Sequence, residues 1–307
     1  MITAPVSFVS ETTTRAGLSA TTIGILCGIG AALCWALGFV GAKHGIAVGF
    51  APADLAFHRF VWSGVLLLPM MMRAGLGTLG GVGWWRGLVI LVLAGPPQAI
   101  LNYTGLTFAP LGHGAVIQPA NAALGGLLLA YLILGEPLSR SRIIGVVGII
   151  LGLLVLAGEA VGSLGGQAAY GDAVFAAAGI AWAVFTTCLR KWGTNGLTAA
   201  RIVGVLSLLV YAPIHAALFG FDRMIALGLF ENLLQVLVQG VFSGLLAIYL
   251  FVRAVTALGA GRASTFPALV PTFTVILGIL ILGDIPTLAQ LAGLAIVGIG
   301  FRFALKS

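Results

Sequence analysis

The sequence predicts an all-α integral membrane protein of ten transmembrane helices, arranged as two inverted five-helix repeats. Three observations carry that expectation. The 307 residues are 60% hydrophobic and 7% charged, where soluble domains are roughly 45–50% apolar and about 25% charged. Ten apolar stretches recur along the chain, most with the roughly 17–25 residues a helix needs to cross about 30 Å of hydrocarbon. The phrase LILGEP at 132–137 also returns as LILGDIP at 280–286.

Residues 1–19 are polar and Ser/Thr-rich, and read as a cytoplasmic segment. The first apolar run, 20–42, exceeds a signal-peptide core of roughly 7–15 residues and reads as a retained helix. GFAPAD turns the chain into the second run, 53–73, and GLGTLGG into the third, 84–108. The fourth, 112–134, ends on the first LILG, and GEPLSRS leads into the fifth, 141–158. A linker at 159–169 then separates the first repeat, 20–158, from the second, 170–307. The second repeat holds runs at 170–192, 197–219, 231–256, 260–283 and 287–305. Glycine and proline in the separators supply turn chemistry. The runs are continuously apolar and not alternating, which favours helices over a barrel. Forty-five glycines suit helices in lipid, where small residues let backbones approach closely.

Cations set the orientation, because cytoplasmic flanks retain positive charge during insertion. With the N-terminus inside, the inner segments hold Arg15, Arg73, Arg86, Arg140, Arg142, Arg190, Lys191, Arg201, Arg253, Arg262, Arg302 and Lys306. The outer ones hold Lys43 and Arg223, and Arg59 falls inside the second helix. Both termini are therefore expected in the cytoplasm. The net charge of +7 follows from topology; a nucleic-acid surface would need clustered cations with aromatic platforms in a water-facing domain. Cys27, Cys34 and Cys188 fall within helices and read as buried small apolar residues.

Alignment of the halves is gap-free over the last two helices of each, at an offset of 148. Ala109 matches Ala257, Ala115 matches Ala263, Pro119–Ala120 matches Pro267–Ala268, and Gly145 and Gly152 match Gly293 and Gly300. Near the start of each half, CWALGFVGAK (34–43) faces AWAVFTTCLR (181–190), pairing Trp35 with Trp182 and Lys43 with Arg190. Five helices is an odd number, so a second copy in series enters the membrane from the other side. Inverted repeats are chiefly a transporter device, since two opposed copies can exchange conformations and open a central site to either side. Interruptions fall in matched places: GPPQ (95–98) in the third helix opposes SGLL (243–246) in the eighth. Pro119 in the fourth opposes Pro267 in the ninth, which adds Pro271. Pro96, Pro97, Pro119, Gly244, Pro267 and Pro271 are accordingly candidate hinges, with static kinks as the other reading.

Ten apolar helices in two halves, each half ending in a proline, LILG-acid and a short glycine-rich helix, resemble the drug/metabolite transporter superfamily, specifically its EamA-type members. AALCWALGFVGAK (31–43) and NYTGLTFAPLGHGAVIQPANAAL (102–124) resemble bacterial exporters of aromatic and other neutral amino acids. The resemblance implies a basket of helices in the bacterial inner membrane. It also implies a central cavity formed mainly by helices one, three, four, six, eight and nine, and export from the cytoplasm.

Mid-helix residues of those helices are the candidate substrate contacts. The amides Gln98, Asn102, Gln118 and Asn121 serve equally well as lining or as glue between helices. Trp35 and Trp182 would offer two aromatic faces across the pseudo-two-fold axis, with interfacial anchoring as the other use of tryptophan. Tyr103, Ser243, Tyr249, Phe266 and Thr272 complete the set. Asp54 and His58 could share a helix face as a cap or pairing site; His44, His113 and His215 stand isolated in the sequence. No histidine pair has zinc-ligand spacing, and no Walker loop or catalytic constellation occurs, so neither metal nor cofactor is expected. An intramembrane enzyme would have Ser243 or Thr272 with a distant histidine; a channel would differ in its electrical behaviour.

Acids decide the coupling. Glu11, Asp54, Glu136, Glu159, Asp172, Asp222, Glu231 and Asp284 all fall in loops or at helix ends. Proton-coupled exporters of cations generally need an intramembrane carboxylate. The expectation is therefore a monomeric carrier that moves a neutral or zwitterionic small molecule down its gradient, with membrane lipid its other contact. The alternative is a proton-coupled multidrug or metabolite exporter of the same superfamily.

Overall fold

The computed structural model describes residues 19–135, 140–161, 167–258, 266–283 and 287–304, which are helical almost throughout. The polar segment 1–18, the centre of the 159–169 linker and the acids Glu136 and Asp284 lie outside the described residues.

Ten helical segments follow the predicted order. α1 (Ala20–Val48) starts at Ser19, whose hydroxyl accepts the Thr22 amide at 3.1 Å, and ends at Gly49. α2 (Pro52–Ala74) opens on a proline, and the Asp54 carboxylate accepts the Ala51 amide at 2.9 Å. α3 (Trp84–Phe108) is broken at Gly95, where Pro96 and Pro97 begin its second half. Then follow α4 (Leu111–Leu134), α5 (Arg140–Val161), α6 (Gln167–Trp192) and α7 (Gly196–Leu218). α8 (Gly228–Leu258) contains a π-helical stretch over Val236–Leu246, and α9 (Val270–Leu282), entered through a 3-10 turn at Phe266–Leu269, ends in another. α10 (Leu288–Ala304) closes the chain.

Each LILG ends a helix in the same way. Gly135 and Gly283 cap α4 and α9 in the left-handed region at φ 69° and 68°, a conformation glycine adopts without steric cost.

The helical segments are not uniform in length. α1, α2, α3, α4, α6, α7 and α8 are long and apolar enough to span a membrane, whereas the remaining segments hold the shorter apolar helices Ile143–Gly152, Val270–Leu282 and Leu291–Gly300 among the described residues. By helical rise, 270–282 covers only about 20 Å. Its entry over 259–265 lies outside the described residues.

Packing follows an exchange of halves. α5 packs on α10 and α2 on α7, so each pairs with its own repeat equivalent. α4 packs on α6 as α9 packs on α1, and α3 on α6 as α8 on α1. Glycines mark the closest approaches. A Cβ on Gly152 would come 2.9 Å from Gly293 O, and one on Gly300 would come 2.9 Å from Gly145 O, the same contact with the halves exchanged. On either side of the molecule, a Cβ on Gly24 would lie 2.8 Å from Ala257 Cβ, and one on Gly171 would lie 2.8 Å from Ala109 Cβ. The close packing that Gly148 and Gly152 permit is thus used within the chain, against α10.

Gly300→Val should overpack this contact, because its Cβ would also meet Ile149 N at 2.6 Å. A loss of about 1–3 kcal/mol is expected as a lowered thermal unfolding midpoint in detergent. Gly298→Val, where nothing lies within 4 Å, should leave the midpoint near that of the parent.

Candidate functional site

Gly38, Gly41 and Gly45 recur on α1 at helical spacing and form a groove for the π stretch of α8. A Cβ on Gly38 would run into the Ser243 hydroxyl, and one on Gly45 would lie 2.9 Å from Gln235 Nε2. Two glutamines four residues apart use that proximity. Gln235 Nε2 donates to Gly41 O at 3.0 Å and Gln239 Nε2 to Gly38 O at 2.8 Å. A helical carbonyl has a second lone pair to accept such a bond, and glycine leaves it uncovered.

From Gln239 a polar chain continues across the bundle. Tyr103 of α3 donates its hydroxyl to Gln239 Oε1 at 3.1 Å, and Arg59 of α2 donates Nη1 to the Tyr103 oxygen at 3.5 Å. Arg59 also lies over the Phe60 ring at 5.7 Å. It is seven residues into α2, about 10 Å from the helix end. A cation at such depth is costly, by about 2.5–3.5 kcal/mol on insertion scales, unless polar groups receive it. Ser243 Oγ lies beside Arg59 at Gly38, and Ser243 Oγ, Asn102 Oδ1 and Thr274 Oγ1 are buried without a hydrogen-bond partner among the described residues.

A second set of bonds fastens the end of the molecule where α1 finishes and α2 begins. Lys43 Nζ reaches Leu106 O at 2.8 Å and Ala109 O at 3.3 Å. Asp54, 2% exposed, accepts from His215 Nε2 at 3.1 Å and from Arg223 at 3.4 Å. His44 meets Glu231 at 3.0 Å and His113 meets Asp172 at 2.8 Å. The three histidines that look isolated in sequence therefore each face a carboxylate, because their partners sit 59 to 187 positions away on other helices. Asp54 and His58 do not pair with one another: His58 Nε2 is 3.2 Å from Asn232 Oδ1, and Trp62 Nε1 donates to His58 Nδ1.

The expected contacts divide into three groups. Tyr103 and Ser243 lie in the Gln239–Arg59 cluster. Gln98 is buried and donates to Ala178 O of α6 at 3.4 Å, while Asn121 donates to Ile117 O of its own helix at 2.9 Å. Gln118 is half-buried, its carbonyl facing Gly179 of α6. Trp35 packs on Phe251 at 5.5 Å, and Trp182 on Phe185 at 5.0 Å with 38% of its surface exposed. At roughly 100° per residue, Trp182 stands opposite the exposed stripe of Ala173, Ala177 and Ile180; Trp35 stands opposite Leu26, Ile29 and Leu33. The third group lies apart from the polar cluster. Phe266 packs over Gly28. Tyr249 shares an exposed stripe with Arg253 and Thr256, opposite the buried Ala247 and Ala254. Thr272 is exposed, and Thr274, two residues and about 200° further round, is the buried threonine of α9.

Sequence reading did not single out Arg59, Gln235 or Gln239, which join this polar cluster. The available signal was Gln-x-x-x-Gln on α8 facing the Gly38/Gly41 spacing on α1. Of the candidate hinges, Pro96 and Pro97 sit at the break in α3, and Gly244 lies within the π stretch. Pro119 lies inside continuous α4, Pro267 in the 3-10 turn and Pro271 in the first turn of α9. Cys27, Cys34 and Cys188 are unbridged. Among the described residues no cluster of metal-ligating side chains occurs.

Comparison with known proteins gives two matches of one family model, described as the EamA-like transporter family, at residues 22–158 and 169–305. The chain is 24% identical over 282 residues to an uncharacterized transporter of Archaeoglobus fulgidus, covering 89% of this chain and 95% of that one. A solved structure, described only as the crystal structure of a protein, superposes with a TM-score of 0.61. It has 18% identity and covers 92% of this chain and 96% of its own; that likeness concerns the fold alone.

Gln239→Leu should release both bonds that tie α8 to α1 and α3. An intramolecular hydrogen bond contributes about 0.5–1.5 kcal/mol, so two bonds correspond to roughly tenfold in population. A cysteine at Ser243, in a protein lacking Cys27, Cys34 and Cys188, should then react about tenfold faster with an impermeant thiol reagent added on the side where α1 ends. An unchanged rate would remove Gln239 from this closure.

Proposed function

The chain belongs to the EamA-like transporter family, and from that premise we propose that it exports aromatic and other neutral amino acids by alternating access, as a uniporter. The observation that carries this reading is the pair Trp35 and Trp182. They stand at repeat-equivalent positions, each on the helix face opposite its exposed stripe, where two indoles can stack on an apolar or aromatic side chain.

Alternating access is supported by an asymmetry laid over the symmetric packing. α1 packs on the second half of α3 and is bonded to it through Lys43. The exchanged pair, α6 and the second half of α8, has no packing of that extent among the described residues. In our reading, ten crossings and the distribution of cations place both termini in the bacterial cytoplasm. The fastened end is then extracytoplasmic, and the chain is poised to load substrate from inside. Pro96 and Pro97 with Pro119 would bend to open one end, and Gly244 with Pro267 and Pro271 the other. The chain acts as a monomer in this scheme, with the small-molecule substrate as its ligand.

Uniport is supported by the positions of the described carboxylates with partners. Asp54 is in the first turn of α2, Glu231 in that of α8, and Asp172 in the second turn of α6. The His113–Asp172 and His215–Asp54 pairs are the feature that favours the second reading, a proton-coupled exporter of drugs or metabolites.

Purified protein in liposomes should move labelled phenylalanine and other neutral amino acids in preference to quaternary ammonium dyes. Transport of the dyes and of no amino acid would overturn the substrate assignment. Amino-acid flux should persist when an ionophore collapses the proton gradient; its loss, with the substrate gradient held constant, would select the coupled reading. Pro119→Ala and Pro267→Ala should bias cysteine accessibility toward opposite sides, and parental labelling with parental transport in both would make these prolines static kinks.

A further inference from the structure

We propose that Arg59 is the anchor for a substrate carboxylate, so that the chain selects small monocarboxylic acids, amino acids among them, by their anionic end. The proposal rests on the transport reading above and deepens it. Among the described residues no carboxylate lies within salt-bridge distance of Arg59, although the other buried or half-buried ion pairs of the same end are complete. Its polar partner is the Tyr103 hydroxyl, at the long distance of 3.5 Å. A guanidinium carries five N–H donors in a planar fork that matches a carboxylate with two parallel bonds. One long bond leaves most of that capacity unused.

The surroundings are built for an acceptor. Tyr103 has spent its own proton on Gln239, which orients its oxygen toward Arg59 and steadies the guanidinium. Ser243, 1% exposed, has a hydroxyl with no partner among the described residues, and it abuts Gly38 at the position a Cβ would occupy. Arg59 Nη1 lies 3.5 Å from that same position. A serine O–H and an arginine fork thus converge beside the bare backbone of Gly38, and a carboxylate can accept from both. An ammonium or a neutral amide offers neither oxygen pair nor charge to the fork. The glycine is the third component: a side chain at 38 would collide with the Ser243 hydroxyl and displace it from beside Arg59.

The geometry also explains how an arginine can be held inside a helix bundle without a carboxylate from the described residues. A built-in acid would close the site with a permanent ion pair. A transported anion completes it only when bound, and leaves with the half of the molecule that opens.

The test uses purified wild-type protein, Arg59→Gln and Arg59→Lys, with binding read by thermal stabilisation in detergent and transport read by competition in liposomes. The probes are phenylalanine, 3-phenylpropionate, phenylalaninamide and phenethylamine. Phenylalanine and 3-phenylpropionate should stabilise the wild type and compete for transport, and the two compounds lacking a carboxylate should do neither. Arg59→Gln should weaken the acids by about tenfold or more, and Arg59→Lys, which keeps the charge without the fork, by less. Equal action of acid and amide on the wild type would overturn the proposal, and so would an acid preference retained in Arg59→Gln. The wild-type panel decides even where a variant fails to fold. If 3-phenylpropionate binds through Arg59 while no amino acid moves, the anchor stands and the amino-acid assignment falls. If amino acids move and phenylalaninamide competes equally, the assignment stands and the anchor falls.

Discussion

The constraint on which this architecture depends is that burying a side chain against another helix gains little when the alternative is a lipid tail of equal polarity. Association must come from backbone proximity, dispersion and hydrogen bonds inside the chain. Glycine supplies the first. Gly152 and Gly300 bring α5 and α10 together backbone on backbone. Gly64 and Gly204 do the same for α2 and α7, where a Cβ on Gly204 would lie 3.2 Å from Gly64 Cα. Both contacts lie where a helix meets its own repeat equivalent, so the two halves are joined along their symmetry relation.

That framework makes the polar bonds meaningful. Backbone contacts between small residues carry no preference for one end of the molecule, but the bonds from Lys43, Gln235 and Gln239 do. They gather at one end and hold α1 against α3 and α8. A bundle whose symmetric contacts are neutral and whose directional contacts are one-sided has a conformational state written in its hydrogen bonds. Each such bond is modest in net stability, which suits the alternating access proposed above.

Much of the fold was legible because it is written locally. The order of the segments, the two LILG caps at Gly135 and Gly283, and the break before Pro96 are each encoded within a few residues. The candidate site was legible only in part. Tyr103 and Ser243 were identified by residue type and depth, but their partners were not. Gln235 and Gln239 act on carbonyls 194 and 201 positions away, and their spacing becomes a signal only once α1 and α8 are known to be neighbours. Tyr249 and Thr272 were chosen by depth alone, and both fall on exposed helix faces. Depth along a helix can be counted, whereas the face depends on phase, and α8 and α9 both change helical type along their length.

The π stretch over Val236–Leu246 has one more geometric consequence. A π turn closes from i to i+5 where an α turn closes from i to i+4, so each such turn stores a residue that an α-helix would spend on length. Releasing or absorbing that residue advances everything beyond it by about 1.5 Å and swivels it by roughly 100°. The second half of α8, with Phe251 against Trp35, is thus mounted on a segment whose winding number is adjustable. A helix of this kind can change the side chains it presents by turning on its own axis at the cost of an axial shift of only about 1.5 Å.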